Sequence, residues 1–183
     1  VMILRPGCII GPGSHQWVGR IAKLLQTYRI GDIGAAGDGW SNLVEVGDVA
    51  AAVLASFTAK EEKSVSVFNL ACDENKRWNE YFIALGLAIN ATPIRRISSR
   101  RLKIDSKLTS VVLKLMQLIA ARMHINNWPK NEPLPPSLLR LWSQQVRLNS
   151  EAASAILLPS WTSFDESVKS SAEWILTGNG DQR

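Results

Sequence analysis

The sequence predicts an α/β protein: the later strands of a doubly wound parallel sheet, followed by a mostly helical region. Three observations predict it. Val1-Met-Ile-Leu4 is continuously apolar and partly β-branched, the pattern of a strand buried on both faces of a parallel sheet. Residues 42–70 run strand, helix, strand with short links, the grammar of parallel β-α-β units. From Asn79 onward the apolar residues recur at helical spacing instead.

Taken in order, the first strand ends at Arg5-Pro6-Gly7. Pro6 to Gly13 then forms a turn rich in residues that bend or interrupt the backbone. Ser14 to Tyr28 places Trp17, Val18, Ile21, Leu24 and Leu25 on one helical face, with Ser14 expected at the N-cap. Gly31 to Gly39 is a glycine-rich loop. Asn42 to Val46 alternates as a short strand. Asp48 is expected to cap a helix from Val49 to Phe57, whose alanines allow close packing on a sheet. After a polar turn at Lys60 to Lys63, Val65 to Leu70 reads as another buried strand. Tyr81, Phe82, Leu85, Ala88 and Ile89 mark the next helix. Leu108, Val111, Val112, Leu115, Leu118 and Ile119 mark a longer one, from Ser106 to Met123. Trp128 to Pro136 is a proline-rich turn, too short to divide independent domains. Two more helices are expected, over 137–146 and 164–176, before a polar tail from Thr177 to Arg183.

A chain of 183 residues, 46% hydrophobic and 20% charged, has room for one domain with a substantial core. No run approaches the ~18 uninterrupted apolar residues of a membrane span, and the first residues do not read as a signal peptide. The chain opens at Val1, inside a predicted strand, so further sequence upstream is expected. Cys8 and Cys72 are far apart and have no partners at metal-ligand spacing; they are expected to be reduced thiols of a cytoplasmic protein. The two histidines, His15 and His124, also lack metal-ligand neighbours, and no Gly-x-Ser-x-Gly turn occurs. Gly34-Ala-Ala-Gly37-Asp-Gly39 lacks the flanking strand and helix of a dinucleotide-binding loop. Arg95, Arg96, Arg100, Arg101, Lys103 and Lys107 form a basic run broken only by Asp105. It reads as a solvated helix start and its loop, with an anionic membrane surface as the alternative. No aromatic residue interleaves it, which argues against nucleic acid.

Two stretches carry more information together than either does alone. Leu4-Arg-Pro-Gly-Cys-Ile-Ile-Gly-Pro-Gly13 is followed, some thirty residues on, by Asn42-Leu-Val-Glu-Val-Gly-Asp-Val-Ala50. In this order they resemble the extended short-chain dehydrogenase/reductase family, which includes the NAD-dependent epimerases and dehydratases. That family has an Arg-Pro-x-x-(Val/Ile)-(Tyr/Phe)-Gly-Pro-Gly turn and then an Asn-x-(Val/Ile)-x-Val-x-Asp-Val-Ala strand and helix. Val67-Phe-Asn-Leu70 resembles its next strand. Leu148 to Ser154, Leu157-Leu-Pro159, Phe164 to Val168 and Glu173-Trp174 resemble its closing helices.

The resemblance implies the C-terminal part of a Rossmann-like sheet in residues 1–72, carrying substrate-loop insertions, and a mostly helical substrate-binding region in 73–183. It implies NAD or NADP as cofactor, a small-molecule substrate and a homodimer in the full-length protein. Pro6, Gly7, Cys8 and Ile9 would meet the nicotinamide carboxamide through the backbone, Gly7 leaving room for a flat ring. Gly11, Gly13, His15 and Gln16 would line the substrate pocket. Asn42 is either a substrate contact or a hydrogen-bonder that orders its loop. Asp48 reads as a cap rather than a catalytic acid.

The departures bear on activity. Ile10 stands where the family has an aromatic residue, and Gly47 where it often has aspartate. Trp40, Ser41 and Leu43 surround the position at which nucleotide-sugar enzymes place an arginine. The apolar helix from Ser106 and the proline-rich turn are closer to the 3β-hydroxysteroid dehydrogenase-like branch, with a hydrophobic alcohol or ketone as substrate. The glycine-rich cofactor fingerprint is absent. So is the Tyr-x-x-x-Lys pair, since Tyr28 is followed at four residues by Asp32 and Tyr81 by Leu85. This chain alone is therefore expected to be inactive. A non-enzymatic binding module derived from the family is the alternative of another class, and a peripheral membrane binder is a third.

Overall fold

The apolar run broken by Pro6-Gly7 forms one extended segment with a hinge. In a computed structural model of the chain, which describes residues 1–59, 64–109, 122, 133–158 and 160–178, that segment is two strands, β1 (Met2–Pro6) and β2 (Cys8–Ile10). Two further strands follow, β3 (Leu43–Glu45) and β4 (Ser66–Leu70). All pairings are parallel. β1 lies against β4, with Met2 opposite Ser66 and Pro6 opposite Leu70. β2 lies against β3, with Cys8 opposite Leu43. The Cys8 N–H donates to the Asn42 carbonyl at 2.9 Å, and the Cys72 N–H donates to the Leu43 carbonyl at 2.8 Å. Successive residues of a strand direct their bonding groups to opposite edges. β3 therefore sits between β2 and the chain leaving β4. The sheet forks at Gly7, and β3 fills the fork.

Two expectations are corrected here. Pro6 to Gly13 is not a turn throughout, because Cys8, Ile9 and Ile10 find a ladder partner in β3. Nor are β1 and β4 buried on both faces. Phe68 and Leu70 are inside, while Ile3 is 39% and Val67 43% exposed. The helices that follow β3 and precede the C-terminal helix pack on one side of this sheet, and the Ile3 and Val67 side is left largely open.

Beyond β2 the chain turns at Gly11 (φ 119°) and Gly13 (φ 84°). It enters a π-helical turn, His15–Gly19, and then α1 (Arg20–Gln26). Ser14 does not cap this helix. Its hydroxyl donates to the Ile9 carbonyl at 2.7 Å and closes the turn onto β2. α2 (Val46–Ser56) starts three residues before the expected position because Glu45 caps it, its carboxylate accepting from the Gly47 N–H. Asp48 faces inward instead. It accepts from the Thr162 N–H at 2.9 Å and the Thr162 hydroxyl at 2.8 Å.

The helical stripe at Tyr81, Phe82 and Leu85 becomes α3 (Trp78–Ala88), with Trp78 buried beside it. The basic run contains α4 (Ser99–Ile104), capped by the Ser98 hydroxyl and continued by a π-helical turn, Asp105–Thr109. α5 (Pro136–Trp142) is shorter than expected. α6 (Glu151–Ile156) shows no helical stripe in the sequence and is expected only from the resemblance of Leu148 to Ser154 to the closing helices of the family. α7 (Phe164–Leu176) matches its expected span and opens with a Ser163–Glu166 capping box. The Lys60 to Lys63 turn, His124, most of the helix expected up to Met123, the proline-rich segment before Pro133 and the tail beyond Gly178 lie outside the described residues.

The larger core gathers Trp78, Tyr81 and Phe82 of α3, Trp142 of α5, and Ile21, Leu24 and Leu25 of α1, with Ile10 at its edge. Phe82 and Trp142 meet edge to face at 4.9 Å, a favourable aromatic geometry. A smaller core joins Phe68 and Leu70 of β4 to Ala52 of α2 and Ala153 and Leu157 of α6. Residues on both sides of position 72 share the larger core.

Candidate functional site

In open parallel sheets, ligands gather beyond the carboxyl ends of the strands. Here that edge is the fork. The Gly7 N–H donates to the Leu70 carbonyl at 2.9 Å, and the Cys8 N–H is held by Asn42. Neither donor is left for a carboxamide. The space expected to admit a flat ring over Gly7 is occupied, since a Cβ built there would lie 2.0 Å from the Asn42 carbonyl oxygen. What this chain presents at the fork is apolar: the exposed ring of Pro6 and the half-buried Ile9.

The structure brings Gly7, Cys8 and Asn42 together, and Gly11, Gly13, His15 and Gln16 follow the end of β2. Gly11 is buried, and a Cβ there would lie 2.6 Å from Glu45 Oε1 and 2.9 Å from Val46 Cγ1. Its role is close packing on the cap of α2. Gly13 and Gln16 are exposed. His15 packs edge to face on Trp174 of α7, with ring centres 5.1 Å apart. Asn42 adopts φ 47°, and its amide is engaged by the chain itself. Oδ1 accepts from Asn75 Nδ2 at 2.8 Å and from the Leu148 N–H at 2.9 Å, and Nδ2 donates to the Val146 carbonyl at 2.8 Å. Asn42 thus fastens the start of β3 to the segment between α5 and α6.

That segment forms one wall of a cavity of about 740 Å³ at the carboxyl end of β4, lined by Cys72, Asp73, Arg147, Asn149, Ser150 and Glu151 among others. Its volume lies within the ~300–1,000 Å³ of small-molecule sites. On the α7 side the packing between Ile10, Leu43 and Phe164 leaves only about 10 Å³. Sequence reasoning missed these residues because no local pattern links Asp73 to Arg147. It also missed their neighbour. Trp40 lies beneath two guanidinium groups, with Arg77 Cζ 3.8 Å and Arg147 Cζ 5.1 Å from the ring centroid. These two guanidinium groups come from Arg77, just before α3, and from the α5–α6 segment. Among the described residues no cluster of His, Cys, Asp or Glu is arranged to hold a metal.

Both cysteines are free thiols. Burial pushes the Cys8 thiol up to about 12 and raises that of Cys72 as well. Because the folded state holds the Cys8 proton more tightly than the unfolded state, stability is unaffected below pH 9. It falls as pH rises through 9 towards 12. Iodoacetamide at neutral pH is expected to label Cys72, on the cavity wall, well before Cys8. Peptide mass spectrometry that found Cys8 labelled first in the folded chain would contradict this account of its burial.

No protein-family model and no curated protein matches the sequence. Solved structures do match. The UDP-glucose 4-epimerase of Thermotoga maritima, solved with UDP-glucose, aligns at a TM-score of 0.59 and 16% identity, over 97% of this chain and 46% of that one. The UDP-glucuronic acid 4-epimerase of Bacillus cereus, solved with UDP-glucuronic acid and NAD, aligns at 0.59 and 14%, over 96% and 45%. RMD of Pseudomonas aeruginosa, solved with NADPH, aligns at 0.56 and 15%, over 95% and 47%. The chain spans about half the length of each of these structures. Its short parallel strands and helices have the fold of the C-terminal part of Rossmann-like epimerases.

Proposed function

We propose that this chain is the substrate-facing half of a nicotinamide-dependent oxidoreductase of the epimerase or dehydratase type, acting on a nucleotide sugar. The likeness of almost the whole chain to about half of two UDP-sugar epimerases is the observation that carries the reading. The nicotinamide would accept and return a hydride, and the proton-transferring tyrosine and its lysine would come from outside these residues. Within the chain, Pro6 and Ile9 supply an apolar wall to the nicotinamide, while the Gly7 and Cys8 N–H groups hold the fork together. Arg77 and Arg147, gathered at Trp40, supply positive charge to an anionic substrate. The residues that pointed to a steroid-like substrate, 106–123 and 128–136, lie mostly outside those described, and the described ones do not favour that reading.

The coding sequence upstream of Val1 tests the proposal. It is expected to encode a Gly-x-x-Gly-x-x-Gly loop and a Tyr-x-x-x-Lys pair. A start codon directly before Val1, with neither motif in frame upstream, would overturn it. The 183-residue chain alone is expected to convert no UDP-sugar to an epimer or dehydrated product when NAD or NADP is supplied, as read by chromatography of the sugar nucleotides. In the full-length enzyme, Arg147→Ala is expected to raise KM at least about tenfold with kcat little changed, the effect of losing one charge-assisted contact of ~1.5–3 kcal/mol.

A further inference from the structure

The most unevenly charged part of the molecule lies away from the fork. Between Arg95 and Arg122 there are eight lysines and arginines and one carboxylate, whereas the whole chain has a net charge of only +5. The rest of the chain is therefore slightly acidic, and the cationic character belongs to one segment. The structure gives that segment a face. On α4 and the π-helical turn after it, Arg100, Lys103 and Lys107 are exposed at positions i, i+3 and i+7. Ile104, 52% exposed, lies among them at i+4. Leu102 and Ser106 hold the opposite face in the protein.

The carboxylates nearby do not neutralise this stripe. Asp105 is turned away from it and held by Arg29 through bonds of 2.9 and 2.6 Å. Asp32 accepts from the Gly34 N–H at 2.9 Å and reaches Arg96 only at 3.7 Å, leaving the Arg96 side chain 81% exposed. Arg95 covers one face of the Tyr28 ring with its guanidinium 4.3 Å from the centroid, which takes that face from a nucleobase. In sequence, the stripe is followed by Leu108 to Ala121, which carries one charge, Lys114.

From this geometry we infer that the α4 face is a docking surface for an anionic lipid membrane. Three exposed cations flanking an exposed isoleucine are the composition of a helix that lies in the headgroup region, the cations meeting lipid phosphates and carboxylates while the apolar side chain enters the acyl boundary. Among the described residues no helix is long and apolar enough to cross a membrane, so the contact is peripheral. A nucleic acid would use the same cations, but it would make no use of Ile104, and no aromatic residue stands among the described residues of the stripe itself. The inference holds independently of the oxidoreductase reading.

Co-sedimentation of the full 183-residue chain with vesicles tests it. With about a third of the lipid as phosphatidylserine and the rest phosphatidylcholine, the chain is expected to pellet at about 0.05 M salt. It is expected to be released at about 0.5 M salt, where screening shortens the reach of the charges. Pure phosphatidylcholine vesicles are expected to retain little. Arg100→Glu and Lys103→Glu should each weaken binding at least about fivefold, since one cation near such a surface contributes ~1 kcal/mol. Lys169→Glu on α7 should leave binding within about twofold. Ile104→Ser should weaken binding while preserving the salt response. Equal retention by neutral vesicles, indifference to salt, or equal effects of Lys103→Glu and Lys169→Glu would each overturn the inference. So would displacement from the vesicles by a polyuridine oligonucleotide that binds more tightly and is itself insensitive to Ile104→Ser. The lipid and salt comparisons use the unaltered chain and stand even if a variant folds poorly.

Discussion

Gly7→Ala is expected to cost roughly 3–4 kcal/mol of stability and to lower the unfolding temperature by about 10 °C in a chain of this size. The reason lies in what the new methyl group would meet. Its carbon would sit 2.0 Å from the Asn42 carbonyl oxygen and 3.1 Å from the Asn42 carbonyl carbon. Both are backbone atoms, so no side chain can swing aside. Nor can the backbone withdraw freely, because the Gly7 N–H is tied to Leu70 and the Cys8 N–H to Asn42 itself. Relieving the clash means opening the β2–β3 ladder or displacing β4. Gly13→Ala is the comparison. Gly13 has a glycine-like φ of 84°, but its new methyl group would meet nothing within 4 Å. Only the backbone preference is lost there, about 1–2 kcal/mol. Thermal unfolding followed by circular dichroism distinguishes the two. A Gly7→Ala chain as stable as Gly13→Ala would mean that β3 does not lie against Gly7.

The contrast shows where the sequence is informative. Continuous apolar runs and helical stripes announce β1, β4, α3 and α7, because burial of each depends on its own local periodicity. The capping box at Ser163 and Glu166 sharpens α7 further. β2 is hidden for the opposite reason. Three residues between Gly7 and Gly11 read as part of a turn, and only a partner more than thirty residues away makes them a strand. The same holds for the cap of α2. Asp48 is the cap that composition suggests, but Thr162, far along the chain, takes its carboxylate, and Glu45 caps the helix instead. α6 escapes the sequence pattern because Glu151 to Ile156 is short and alanine-rich, and its burial comes from lying on β4.

The candidate site follows the same division. The turn from Pro6 to Gly13 stands out as unusual in the sequence and does form the fork, but its polar groups are engaged internally. The groups that face the cavity come from the chain leaving β4, the α5–α6 segment and α6, and the charge at Trp40 comes from Arg77, just before α3, and from Arg147. None of these has a local signature. Their proximity depends on Gly39 and Trp40, whose N–H groups donate to the Trp142 and Gln144 carbonyls at 2.8 and 3.0 Å and bring the segment alongside. Asn42, two residues further along, completes that attachment.

Asn42→Ala is accordingly expected to destabilise the chain by roughly 2–3 kcal/mol and to loosen the cavity wall more than the rest of the fold. Three side-chain hydrogen bonds are lost, to Asn75, Leu148 and Val146. Alanine also tolerates the observed φ of 47° poorly, whereas asparagine is among the residues that accept it. The Val146 bond is solvent-exposed, so water replaces part of what is lost and the total stays below the sum of three buried bonds. Asn42→Gly separates the two contributions: it restores the backbone preference, recovering about 1 kcal/mol relative to alanine, but none of the bonds. Limited trypsin digestion gives the local readout. Arg147 lies in the segment that Asn42 holds, and cleavage after it is expected to accelerate in both variants, because local opening follows the loss of anchoring bonds. If Asn42 instead acted mainly by touching a ligand, Asn42→Ala would leave both the unfolding temperature and the cleavage rate at Arg147 unchanged. The bonding pattern around its amide points the other way: the residue that the sequence marks as a candidate contact serves the site by fixing the wall against which a ligand would rest.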